Sequence, residues 1–287
     1  MNKIVKILLP LAMVTVLMSS YSAQAAYGVV VGNTFTYDVV ESNWDVTIDT
    51  SSSSGTGFNF LDVKRAVGTQ FTVEVLTVDP LEVDWEMAVG TDTDTGTNSI
   101  WDAIGIAFNL ILPALLTMMA YPGYFNQTEA DLGITIFELF FVDTETVSEI
   151  FYDLAETDME ANMTEEEPGL DIDRIGGTFD NSSSTAVFEW HFDMTYVNAS
   201  LDVDYSGTYV WQYAFDKTAG TMKGYYINID YAGVAGGIDF TYKMEQKVEE
   251  VGYNLPNANG IPGFEWFVAI PIIALLGGLT IIRRKRK

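Results

Sequence analysis

The chain has 287 residues, with 40 Asp and Glu against 14 Lys and Arg, a formal net charge of −26. So acidic a chain lacks the cations for the broad positive face that displaces phosphate counterions, which excludes a nucleic-acid binder. No cysteine and a single histidine exclude disulfides, thiolate nucleophiles, Fe–S clusters and the usual Cys or multi-His metal sites, while 48% apolar and 13% aromatic residues demand a folded core.

Residues 1–25 run from a cationic start (Lys3, Lys6) through an apolar stretch at 7–17 to the small residues Ala23-Gln24-Ala25. These are the three parts of a secretory signal peptide, with cleavage expected before Ala26. Eleven apolar residues are too few for a membrane span. No cysteine follows them, which closes the lipoprotein route.

Period-two alternation then predicts strands with one buried face. Phe35, Tyr37 and Val39 form the first set, and Phe71, Val73 and Val75 the second. In the third, Leu81, Val83, Trp85, Met87 and Val89 point one way and Glu82, Asp84 and Glu86 the other. Asp92-Thr93-Asp94-Thr95-Gly96-Thr97-Asn98, with Asp102 after it, reads as a polar loop from strand to helix. Its oxygens suit calcium, yet glycine comes one place too early for an EF-hand loop and the twelfth position is Ala103, so no metal ligand is assigned.

The stretch 104–121 is almost wholly apolar, broken by Asn109, Pro113 and Thr117. As a membrane span it would leave the terminal cations outside, and no Lys or Arg flanks it. A helical hairpin bent at Pro113 and buried against the sheet is expected instead. Val147, Ile150, Phe151 and Leu154 recur at helical spacing, with Thr144 as N-cap and Glu145 in the first turn. Residues 156–173, with Glu165-Glu166-Glu167-Pro168-Gly169, read as an acidic loop.

Strands return with Phe188, Trp190, Phe192, Met194 and Tyr196, then Tyr209, Trp211, Tyr213 and Phe215. A turn at Asp216-Lys217-Thr218-Ala219-Gly220 leads into a strand over 222–231, and Ile238, Phe240, Tyr242 and Met244 make the last. The expected fold is α+β: a large antiparallel β-sheet with an apolar helical insertion at about 100–160 packed on it, plus a C-terminal membrane helix.

That last helix is the apolar stretch 264–282, about 28 Å long at 1.5 Å per residue and close to the thickness of a bilayer core. Arg283, Arg284, Lys285, Arg286 and Lys287 follow it and hold the tail on the cytoplasmic side, so residues 26–260 lie outside, as the signal peptide independently requires. The exported part then carries 7 bases and 39 acids, 7 − 39 = −32. The expected division is 1–25 signal peptide, 26–253 extracellular β-rich domain, 254–260 linker and 261–287 anchor.

Gly260-Ile261-Pro262-Gly263-Phe264, the apolar segment and the basic end together resemble the PGF-CTERM sorting signal of archaeal surface proteins. The resemblance implies an archaeosortase as partner, cleavage near Pro262, Gly263 and Phe264, and a membrane lipid in place of the helix. With Gly32-Asn33-Thr34-Phe35-Thr36 and Tyr121-Pro122-Gly123-Tyr124-Phe125-Asn126-Gln127-Thr128, the layout also resembles the archaeal choice-of-anchor S family, whose name carries no activity.

The chain has no Gly-x-Ser-x-Gly elbow, His-Glu-x-x-His helix, phosphate-binding loop or dinucleotide fingerprint, and it names no cofactor. His191, between Glu189 and Asp193 on the polar side of its strand, reads as an exposed surface histidine. Asn126, Asn162, Asn181 and Asn198 head glycosylation sequons. The expectation is a non-catalytic, membrane-anchored cell-surface protein for envelope structure, adhesion or binding, its protein or ligand partner unknown. The alternative is an extracytoplasmic carrier or receptor for a lipid or other hydrophobic ligand, with Leu110, Leu112, Leu115, Leu116, Met118 and Met119 lining the site between the sheet and the 104–121 helical insertion.

Overall fold

The computed structural model describes residues 27–102, 105, 131–156 and 169–256. A 10-stranded antiparallel sheet dominates them. Across it run β7 (Asp92–Ser99), β6 (Glu82–Val89), β5 (Gln70–Val78), β1 (Thr34–Ile48), β13 (Ile238–Glu250), β12 (Met222–Ala235), β11 (Val203–Asp216), β10 (Thr185–Asn198) and β9 (Leu170–Asp180). The tenth strand, β2 (Ser51–Thr56), pairs with the second half of β1. A small second sheet joins β4 (Val63–Arg65), β3 (Phe58–Phe60) and β8 (Ile134–Thr135).

The expected alternation is the one that packs. Tyr37, Val39, Phe71, Val73, Val75, Val83, Trp85, Met87 and Val89 are buried on one face, while Leu81 stays exposed just before β6. Phe188, Trp190, Phe192, Met194 and Tyr196 on β10 and Tyr209, Trp211, Tyr213 and Phe215 on β11 continue that face.

Residues 136–143, within the insertion expected to be helical at about 100–160, are not helical. They run extended along the inner face, and only from Thr144 does α1 (Thr144–Glu156) begin. The reason lies in their partners. Asn98 on edge strand β7 accepts the N–H groups of Phe140 (2.9 Å) and Phe141 (3.1 Å) at Oδ1 and donates Nδ2 to the Glu138 carbonyl (2.8 Å). On the other side the Met222 N–H donates to the Phe140 carbonyl and the Val142 N–H to that of Gly220, both at 2.8 Å. A segment whose backbone groups are used by two flanking strands has none left for a helix.

The same bonds curl the sheet. From β7 to β12 is five strand spacings, about 24 Å if flat. Yet Asn98 and Met222 both bond the backbone of Phe140, which puts them on the order of 10 Å apart. The Tyr37 hydroxyl on β1, donating 3.0 Å to the Met222 carbonyl on β12, ties the strands on either side of β13 together. Phe140 packs against Tyr37, Phe71 and Trp85, and Phe151 of α1 against Phe188, Trp211 and Tyr213. The sheet is therefore a half-barrel around its own insertion.

Three further expectations are corrected. The segment from Asp92 to Asn98 is edge strand β7 rather than a loop, with Asp92 ion-paired to Arg65. The acidic run is strand β9 from Leu170 on. The helix N-cap is Asp143, whose Oδ1 accepts the Thr146 N–H at 2.8 Å, one residue before Thr144.

Candidate functional site

Two surfaces can carry function: the inner face below the insertion, and the outer face of β10 to β13. On the inner face Tyr225 bridges sheet and insertion. Its hydroxyl accepts the Phe137 N–H (3.0 Å) and donates to Gln246 Oε1 (2.6 Å), and Gln246 Nε2 reaches Ser42 Oγ (3.4 Å) and the Ile134 carbonyl (3.5 Å). Burial pushes the Tyr225 hydroxyl far up, so it stays a neutral donor. Beyond this bridge the inner face continues as Ile229, Phe240 and Tyr242, half-buried, with Tyr196 and Tyr205 edge-on to each other. Burial lifts the Tyr205 hydroxyl to about 12, and among the described residues it has no hydrogen-bond partner.

His191 lies on the outer face, and it is not exposed. Only 7% of its surface and 3% of Glu189 remain open, because β10 and β11 are buried on both sides. His191 Nε2 meets Glu189 Oε1, and Gln212 Nε2 donates to Glu189 Oε2 at 3.3 Å. Gln212 Oε1 is buried without a partner among the described residues. No described hydroxyl hydrogen-bonds to His191 as a nucleophile would, and burial keeps a substrate from reaching it.

Next to this trio the chain's last described residues cross the outer face. Leu255 is buried against Val187 and Ala214, flanked by Tyr226 and Tyr253, and its N–H donates to Glu249 Oε1 at 2.7 Å. Glu249 also holds Lys247 at 2.9 Å. Nearby, burial first and then the charge of Glu245 raise the Glu41 carboxyl above its ordinary range, and the Tyr226 hydroxyl donates to Glu245 at 2.9 Å. Sequence reading missed this strap, because one leucine in a polar stretch shows no periodicity.

The sequons Asn181 and Asn198 differ. Asn181 is exposed in the turn between β9 and β10. Asn198 is half-buried, its Nδ2 donating to the Tyr196 hydroxyl (3.2 Å) and its Oδ1 accepting from Ser200 N (3.1 Å) and Oγ (2.6 Å). The remaining candidates lie outside the described residues: Ala23, Ala25, Asn126, Asn162, Pro262, Gly263 and Phe264, the hydrophobic set Leu110, Leu112, Leu115, Leu116, Met118 and Met119, and the basic set Arg283, Arg284, Lys285, Arg286 and Lys287. No family model, curated protein or solved structure matches the chain.

Proposed function

We propose that this is a non-catalytic cell-surface protein, exported by its first 25 residues and held at the membrane by its last 27, with the acidic half-barrel outside. The observation that carries the reading is the packed end of the domain. Leu255 is still buried in the fold only nine residues (264 − 255) before the apolar segment that starts at Phe264. A domain tied this short to an apolar, cation-terminated segment is built to sit against a membrane. The Pro262-Gly263-Phe264 tripeptide supports an archaeosortase as the partner that exchanges that segment for a lipid. Mapping both termini by mass spectrometry of the protein recovered from cell membranes tests the reading. An N-terminus at Ala26 with a C-terminus either intact or ending near Pro262 is expected; a cytosolic chain retaining Met1 would end the idea.

The inner face favours a second reading, a carrier for a hydrophobic ligand. Half-buried Ile229, Phe240 and Tyr242 beside the Tyr205 hydroxyl, which has no hydrogen-bond partner among the described residues, offer a largely apolar wall with phenolic donors in it, the chemistry of an acyl chain with a polar head. Native mass spectrometry of detergent-free protein separates the two. Extra mass that solvent removes and lipid analysis identifies supports the carrier, and bare or glycosylated polypeptide mass rejects it.

A further inference from the structure

We propose that the end of the half-barrel where the β9–β10 and β11–β12 turns meet is a lipid-facing surface, which the domain turns toward the bilayer. The proposal rests on the anchored-surface reading and adds its geometry.

Both described ends of the chain are fastened at this end. The Gly28 N–H donates to the Ala219 carbonyl in the β11–β12 turn at 3.2 Å, and the Tyr27 hydroxyl reaches the Leu81 carbonyl at 3.4 Å. Leu255 packs on Val187, two residues into β10 from the same end. The far end of β10 is Asn198, eleven residues (198 − 187) or about 36 Å further along the strand. The nine residues from Leu255 to Phe264 span at most about 30 Å. They cannot run down the strand and still bring the far end to the membrane.

Surface chemistry agrees with reach. Val30 and Val31 leave 63% and 64% of their surface exposed, Trp101 57% and Val251 50%, and Leu81 joins them. All five belong to this end. Val30 and Val31 follow Tyr27, Trp101 follows the Ile100 N–H that donates to the Leu81 carbonyl, and the Val251 N–H donates to Thr36 near the start of β1. A tryptophan among aliphatic side chains suits the headgroup boundary, where its ring is buried and its N–H stays wet. The adjacent turns carry Lys217 and two carboxylates, Asp180 and Asp216, each already engaged by turn N–H groups: Asp180 by that of Ser182 and Asp216 by those of Thr218 and Ala219. By contrast the broad outer face sets Glu74 opposite Glu86 and Glu41 beside Glu245, charges that cannot approach lipid without losing water.

The chain has no cysteine, so a single introduced thiol places one fluorophore. Full-length Thr218→Cys and Leu201→Cys, one at each end, are labelled with a donor and reconstituted into phosphatidylcholine vesicles carrying a headgroup acceptor. Transfer severalfold stronger from residue 218 than from 201 is expected. Equal or stronger transfer from 201 in protein that floats with the vesicles overturns the orientation and leaves the anchored reading standing. Protein that does not float overturns both. Ser182→Cys, in the neighbouring turn, replaces Thr218→Cys if that variant does not fold.

Discussion

Trp44, Trp85 and Trp190 each sit one strand in from an open edge, and each faces a glycine across the ladder: Gly55 on β2, Gly96 on β7 and Gly177 on β9. A glycine leaves the edge backbone bare, and the ring leaning over it restores apolar cover where an exposed edge would invite another chain. The space is taken. A Cβ on Gly177 would stand 2.8 Å from Phe188 Cε2, and one on Gly96 would overlap the Trp85 indole, whereas one on the neighbouring Gly176 meets nothing. Gly177→Ala or Gly96→Ala should therefore cost about 1–3 kcal/mol through overpacking. Gly176→Ala should stay within about 0.5 kcal/mol. Guanidinium midpoints of the three variants decide it, and a neutral Gly96→Ala would refute the ring-over-glycine account. Leu61 shows the opposite mismatch. It and Asp62 form the two-residue turn between β3 and β4 with φ of 51° and 59°, a conformation that asparagine and glycine tolerate and leucine resists. Since Leu61 is half exposed, Leu61→Asn loses little burial and should raise stability by about 1 kcal/mol.

At the scale of elements, strands with one apolar face were legible and strands with none were not. Alternating aromatics revealed β10, β11 and β13, because each must hide every second side chain. The strands β7 and β9 lie at edges, where little burial is required, so the threonines and aspartates of β7 and the acidic start of β9 read as loops, and the serines of edge strand β2 gave no signal. His191 was misjudged for the converse reason: alternation identifies a polar face and cannot tell that this face is buried as well. Helix α1 was found and its cap missed by one residue, since Asp143 and Thr144 are both good caps and only the bond to Thr146 N–H distinguishes them. Asp143→Ala should cost about 1–2 kcal/mol, and Asp143→Asn should recover most of it. Equal losses in both would assign the effect to the charge instead of the cap. The seam between β1 and β13 carries its own pH dependence. The Glu41 carboxyl titrates above its ordinary 4.5 in the fold. The folded state thus binds the proton more tightly, and the stability this adds is full below pH 4.5 and lost as pH rises through the raised value. Glu41→Gln should accordingly stabilise the protein at neutral pH and flatten this part of the pH profile. A variant whose profile keeps the wild-type slope would show that another group is responsible.

Over the whole molecule, attraction between charges is scarce. Residues 26–260 hold seven bases, and four of them, Arg65, Lys223, Lys243 and Lys247, are already engaged with Asp92, Glu250, Asp230 and Glu249. Pairs of this kind, from largely buried to half-exposed, contribute about 1 kcal/mol or less each where they are open to solvent. Against them stand 39 acids, an excess of 39 − 7 = 32, so repulsion dominates the electrostatic free energy of the fold. At 0.01 M salt the screening length is about 30 Å, comparable with the sheet itself, and at 0.15 M it is about 8 Å, shorter than two strand spacings. Added salt therefore weakens many long repulsions and only a few short attractions. The midpoint of thermal unfolding should rise as sodium chloride goes from 0.01 M to 0.15 M and level off beyond it. Neutralising pairs such as Glu74→Gln with Glu86→Gln, which face each other across β5 and β6, should raise the low-salt midpoint and shrink the salt response together. A midpoint that falls with salt would mean that the few ion pairs outweigh the excess of carboxylates, and the acidic exterior would then need a different explanation.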